Sequence, residues 1–224
     1  MLNPKSFTLL LTLSISCNLA VIVTAGYILV QRGGMPYLRE RFHPTGGAIF
    51  FGDSLTNLGD WSGDFQHEVA NFGVRGDETN DVLARTQKVI DRRPEIVFLM
   101  AGTNDALRHR DVDASAKTFA QIVTRLRQGV PQAVLYVETV LPVTDRIATP
   151  NPLVRGRVDE INAWIDRFNQ QIAPLADNRS VFLINLHDDL LRDSQLVPEY
   201  TIDGIHLSSR GYWVWRGDTL PLLR

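Results

Sequence analysis

The sequence predicts a single α/β domain in which a parallel sheet is covered by helices on both faces. Three observations predict it. Short apolar runs rich in Val, Ile and Phe recur between residues 48 and 186, as expected of strands buried on both faces. Between them lie stretches whose apolar residues repeat at helical spacing, and such alternation folds through right-handed crossovers onto a parallel sheet. At 224 residues the chain holds one such domain with a substantial core and is short for two.

Taken in order, the chain begins with a segment of another kind. No residue from Phe7 to Val30 is charged, with Lys5 before the run and Arg32 after it. A bilayer-spanning helix needs about 20 residues, so residues 1–30 are expected to form an N-terminal hydrophobic helix that anchors the chain in a membrane. The competing reading is a cleaved signal peptide, with Phe7 to Ala20 as its core and Val23-Thr24-Ala25 as the cleavage site. The length of the run favours the retained anchor. Cys17, the only cysteine, follows Ser14-Ile15-Ser16, a poor approach for lipid attachment, and it leaves the domain without a disulfide or a thiolate metal site. Positive charge is heavier after the segment (Arg32, Arg39, Arg41) than before it, which argues for a cytoplasmic domain. N-terminal segments of this kind more often serve export, and the expectation is an exported, outward-facing domain. Residues 31–47, with Gly33-Gly34, Pro36, Pro44 and Gly46-Gly47, read as a linker.

The domain proper spans 48–224. Strands are expected at Ala48–Phe51, Ile96–Ala101, Ala133–Val140 and Val181–Leu186, with Glu68–Phe72 a weaker one. Val82, Thr86, Val89 and Ile90 mark a helix that Arg92-Arg93 suit at its end and Pro94 stops. Asp113 can cap the next helix, whose stripe is Phe119, Ile122, Val123 and Leu126 and which ends at Gly129. The longest stripe runs from Val158 through Ile161, Ile165, Phe168 and Ile172 to Leu175, and Ser208 can start a final helix carrying Tyr212 and Trp215. Five strands so arranged predict a flavodoxin-like, three-layer α/β/α sandwich, whose sites form beyond the carboxyl ends of the strands.

Four motifs fall at such ends or near the C-terminus. They are Gly52-Asp53-Ser54-Leu55, Asn71-Phe72-Gly73 running into Gly76-Asp77, Gly102-Thr103-Asn104-Asp105, and Asp203-Gly204-Ile205-His206. Each alone has a plain structural reading as turn or cap. In this order, from about Ile49 to Tyr212, they resemble the SGNH or GDSL hydrolase superfamily, and the second block with Val82-Leu83 is most similar to platelet-activating-factor acetylhydrolase-type esterases. Arg75 stands where those relatives usually carry glycine, which changes local shape or charge. The resemblance implies the SGNH hydrolase fold, with Ser54 as nucleophile, His206 and Asp203 as its base and orienting acid, and Ser54, Gly76 and Asn104 as the oxyanion hole.

The residue chemistry agrees. A serine hydroxyl needs a neighbouring base, and His206 has a carboxylate, Asp203, three residues away in a glycine-containing turn. His43, His67 and His109 lack a comparable motif. His187-Asp188-Asp189 suggests a metal ligand set, but paired acids after a strand more often open a helix. Glycine at 76 suits close backbone approach, while Asp53, Gly73 and Asp105 read as supporting residues. The proline-bearing segment Leu141 to Gly156 is either an acyl-pocket wall or a solvated connector, and Trp61 either lines that pocket or belongs to the core. Net charge of -2 provides no basic face for nucleic acid. The expected activity is hydrolysis of a short, acetyl-type acyl ester through an acyl-enzyme, with no cofactor and no metal. A lysophospholipase, thioesterase or acyltransferase would use the same residues, and a catalytically silent carbohydrate- or lipid-binding module is the alternative from another class.

Overall fold

The computed structural model describes residues 46–62 and 68–223, with Asn18 and Val23. Apart from those two residues, the expected anchor or signal segment lies outside the described residues, as do Cys17, His43, His67 and most of the 31–47 linker. Among the described residues, no helix is long and apolar enough to cross a membrane.

The apolar runs form β1 (Ala48–Gly52), β2 (Val69–Gly73), β3 (Ile96–Met100), β4 (Val134–Glu138) and β5 (Val181–Ile184). They pair in parallel in the order β2-β1-β3-β4-β5, the flavodoxin-like order expected. The helices are α1 (Ser54–Leu58), α2 (Thr79–Asp91), α3 (Thr103–Leu107), α4 (Val112–Gly129), α5 (Val158–Ile172), α6 (Leu186–Asp189) and α7 (Ser209–Thr219), and a small hairpin joins β6 (Leu191–Arg192) to β7 (Gln195–Leu196).

Because strand side chains alternate between faces, the strands feed two cores. Ile49, Phe51, Val97, Leu99, Leu135 and Val137 pack with the buried stripes of α2, α4 and α5. Ala48, Phe50, Phe98 and Met100 pack on the other face with Leu55 of α1, Leu186 of α6 and Trp215 of α7. On that second face four aromatic residues sit in register across neighbouring strands: Phe50, Phe98, Tyr136 and Phe182. Their ring centroids are 4.4, 5.0 and 5.7 Å apart, within the range of favourable aromatic pairing. Trp61 stacks on Phe50 at 3.9 Å and is 4% exposed. It therefore belongs to the core, beyond the end of α1, and not to a pocket wall.

Two other expectations are corrected. Val112 is buried in the core, so α4 begins there and Asp111, not Asp113, caps it by accepting from Ala114 N at 2.8 Å. Asp113 lies inside the first turn and pairs with Arg167 at 2.8 Å. The segment after β4 is neither a simple connector nor merely a wall, because two asparagines of α5 take its backbone. Asn169 donates to Val140 O at 2.9 Å and accepts from Val140 N at 2.8 Å, and Asn162 does the same for Val143 at 3.0 and 2.8 Å. Satisfied in this way, an irregular stretch can run buried past the sheet.

Candidate active site

The ends of β1, β2 and β3 are aligned, with Gly52 opposite both Gly73 and Met100. The loops that follow them therefore open onto one edge. Asp53 turns the chain out of β1 and caps α1, its Oδ1 accepting from Leu55 N at 2.9 Å. Ser54 is consequently the first helical residue, a position whose N–H has no intrahelical acceptor.

A five-residue helix cannot hold itself. Its carbonyls are held by side chains from outside it: Tyr212 Oη donates to Leu55 O at 2.7 Å, Trp61 Nε1 to Thr56 O at 2.9 Å, and Asn71 Nδ2 to Thr56 O at 3.0 Å and Asn57 O at 3.1 Å. Asn57 in turn donates to Gly73 O at 2.9 Å, joining α1 to the end of β2.

Past β2, Asp77 N donates to Val74 O at 3.3 Å, closing a turn with Arg75 and Gly76 at its centre. Gly76 has φ +82°, the conformation a type II turn requires at its third residue. A Cβ there would come no nearer than 3.7 Å to any other group of the chain, so the glycine is demanded by backbone conformation and not by crowding. That corrects the reason expected from sequence. The turn's own bond uses Asp77 N, not Gly76 N. Asn104, on α3 past β3, donates to Asp77 O at 2.9 Å and so ties the two loops together.

Asp203 and His206 come from a loop closed at its base by a Thr201–Leu207 bridge. His206 Nε2 lies 3.1 Å from Ser54 Oγ, and His206 Nδ1 lies 2.8 Å from Asp203 Oδ2. The other carboxylate oxygen, Oδ1, accepts from the backbone N–H of Ile205 at 3.0 Å and of His206 at 2.8 Å. Partial burial pushes the Asp203 carboxyl up, but the His206 ring and these two N–H groups outweigh it and hold Asp203 well below the usual carboxylate range. Asn151 in the segment after β4 donates to Asp203 Oδ2 at 3.2 Å, and Thr144 N donates to Gly204 O at 3.0 Å. Ser54 is 8% exposed, reachable but mostly enclosed.

All five residues singled out in the sequence thus stand at this edge. Ser54, His206 and Asp203 form one hydrogen-bonded chain. Gly76 and Asn104 flank it from the neighbouring strands.

The supporting acids separate by environment. Asp105 is buried between α2, α3 and α4, accepting from Thr79 N at 2.9 Å, Thr79 Oγ1 at 2.7 Å and Ser115 Oγ at 2.9 Å, and desolvation still raises its pKa. Asp53 is fully buried, and desolvation raises its pKa from 3.8 to about 7. His187, with Nδ1 3.1 Å from Asp188 and Nε2 3.2 Å from Asp166, lies beyond β5 in a separate polar recess, and its acids open α6 as expected.

Arg85 escaped the sequence reading. From α2 it reaches Asp77 at 2.7 Å, Phe72 O at 3.1 Å and Gly52 O at 3.1 Å, with its guanidinium 5.1 Å above the Phe51 ring. One side chain thereby joins the ends of β1 and β2 to the Gly76 turn. A helical arginine carries no pattern that reveals this, because its partners are set by the sheet order.

The family profile of GDSL-like lipases and acylhydrolases matches residues 50–214. Several solved structures share the fold. A platelet activating factor candidate from Streptococcus pneumonia superposes with a TM-score of 0.73 at 23% identity, covering 92% of this chain and 99% of that one. A GDSL-like lipase from Bacteroides thetaiotaomicron gives 0.63 at 20%, covering 79% and 86%. An acetyl xylan esterase gives 0.64 at 22%, covering 79% and 99%. Comparison with curated proteins gives no significant match. With the profile spanning most of the chain and its serine motif at the carboxyl edge of a five-stranded parallel sheet, the protein belongs to the GDSL-like lipase/acylhydrolase family and is a carboxylic ester hydrolase.

Proposed function

We propose that the protein hydrolyses a short-chain, acetyl-type ester through an acyl-enzyme formed on Ser54. The observation that carries this reading is the relay from Ser54 Oγ to His206 Nε2 at 3.1 Å and from His206 Nδ1 to Asp203 Oδ2 at 2.8 Å. As Ser54 Oγ bonds to the acyl carbon, its proton passes to His206 Nε2, and Asp203 stabilises the imidazolium through Nδ1. The carbonyl oxygen takes up negative charge within reach of three donors: the N–H of Ser54, the N–H of Gly76 and the second amide N–H of Asn104. Such a donor lowers the barrier by roughly 2.7–4 kcal/mol. His206 returns its proton to the leaving alkoxide, which departs as the alcohol. Water then adds to the acyl carbon, giving a proton to His206, and the acid leaves as Ser54 Oγ regains that proton.

An acetyl-sized acyl group is supported by the likeness to an acetyl xylan esterase fold and by the resemblance to acetylhydrolases in the second block. In this proposal residues 7–30 hold the domain at a membrane, facing outward; sedimentation with membranes after alkaline wash tests the tether. The chemistry is tested with a fluorophosphonate probe and esters of increasing acyl length. Labelling and turnover should vanish together in Ser54→Ala, with acetate and propionate esters preferred. Labelling at another serine, or turnover that survives Ser54→Ala, overturns the assignment.

A further inference from the structure

The Gly76 turn is surrounded by guanidinium groups. Arg85 is satisfied by Asp77. Arg108 and Arg110 share one carboxylate, Glu78, with Arg110 Nε 2.6 Å from Oε2 and Arg108 on Oε1; Arg108 also donates to Gly76 O at 3.1 Å. The two cations hold Glu78 below its ordinary pKa, so it stays charged. Arg75 has no carboxylate partner among the described residues. Asp81 belongs to the same cluster, its Oδ2 accepting from Glu78 N at 3.0 Å, so Arg85, Arg108 and Arg110 are balanced by acids within it.

Arg75 is exposed and occupies the corner of the turn beside Gly76. It thus stands at the rim of the site, next in the chain to Gly76, whose N–H is one of the proposed oxyanion donors. A rim charge without a partner attracts a charge of opposite sign, and a guanidinium matches carboxylate and phosphate oxygens in pairs.

Resting on the Ser54 reading above, we propose that Arg75 is a recognition residue for an anionic group, a carboxylate or a phosphate, carried by the ester substrate close to the scissile bond. Arg108, half-exposed and committed to Glu78, backs it by holding the turn through Gly76 O. Arg75 touches none of the reacting atoms in this role. It sets which ester is preferred.

Two matched pairs test the proposal and locate the anion. The acyl side is read with 4-nitrophenyl hemisuccinate against 4-nitrophenyl butyrate, and the alcohol side with 4-acetoxybenzoate against its methyl ester. In the full chain, Arg75→Gln should lower kcat/KM for the charged member of at least one pair, relative to its neutral partner, by about five- to tenfold. Arg75→Lys should keep most of the preference and Arg75→Glu should reverse it. Raising salt to about 1 M, where the screening length is ~3 Å, should erase it in the wild type. Should turnover of these esters be slow, the rate of labelling by a carboxylate-bearing fluorophosphonate against its methyl ester reads the same ratio. A charged-to-neutral ratio unchanged by Arg75→Gln in both pairs and in labelling overturns the proposal. Neutral-ester turnover that persists in Ser54→Ala would instead overturn the underlying mechanism, so the two failures are separable.

Discussion

At the scale of single residues, the site depends on small polar groups whose second bond is already committed. Asn104 spends one amide N–H on Asp77 O. If its second N–H meets the oxyanion as proposed, Asn104→Ala should lower kcat by about 10²–10³ with little change in KM, because that bond would strengthen only in the transition state. Asn104→Asp should be at least as damaging, since a carboxylate would face both the Asp77 carbonyl and the developing oxyanion. Steady-state kinetics on folded variants check both. Asp53 offers a contrasting case. Its Oδ1 caps α1, while burial favours the protonated acid. Asn caps as well as Asp and carries no charge, so Asp53→Asn should keep far more activity than Asp53→Ala, which loses the cap and about 1 kcal/mol or more. The catalytic candidates were legible because their motifs are short and local. Arg85 and Asn151 were not, since each meets its partners only after strands far apart in sequence have paired.

At the scale of elements, burial of charge sets how stability depends on pH. Glu138 ends β4 inside the aromatic core, accepting from Trp215 Nε1 at 2.8 Å, and desolvation raises its pKa from 4.5 to about 8. A folded-state pKa above the unfolded one means that the native state holds the proton more tightly. The stabilisation is full below about pH 4.5 and is lost as pH rises to about 8, at up to about 1.4 kcal/mol per pH unit. Asp53 adds a loss of the same sign between 3.8 and about 7. Asp203 acts oppositely, losing its contribution only in strong acid. Glu138→Gln should therefore flatten the fall in stability between pH 5 and 8, measured by urea unfolding at several pH values; an unchanged slope would show that Glu138 ionises freely in the fold. Four strand positions were readable from apolar runs and the fifth, β2, only weakly, while the helix stripes were readable from their period. The α4 cap was misread because Asp111 and Asp113 look alike two residues apart, and only burial of Val112 decides between them.

At the scale of the whole molecule, the Asp203–His206 loop is delivered by a chain of supports that begins on α5. Asn162 and Asn169 hold the segment after β4, and that segment holds Asp203 and Gly204 through Asn151 and Thr144. Gly204 has φ +93°, and a Cβ there would meet Thr144 O at 2.1 Å. Gly204→Ala should thus cost most of the activity while leaving far-UV circular dichroism intact, because the strain falls on the loop and not on the sheet. The sequence could not disclose these supports, since asparagines replacing a strand neighbour follow no period.

The separation of 152 residues between Ser54 and the histidine beside it carries a consequence for synthesis. On the proposed relay, translation makes the nucleophile long before its base. A nascent chain that has emerged as far as β5 then holds all five strands of the parallel sheet and a serine that still lacks His206. On that relay, a chain truncated before His206 should stay inert towards esters however well its sheet has formed.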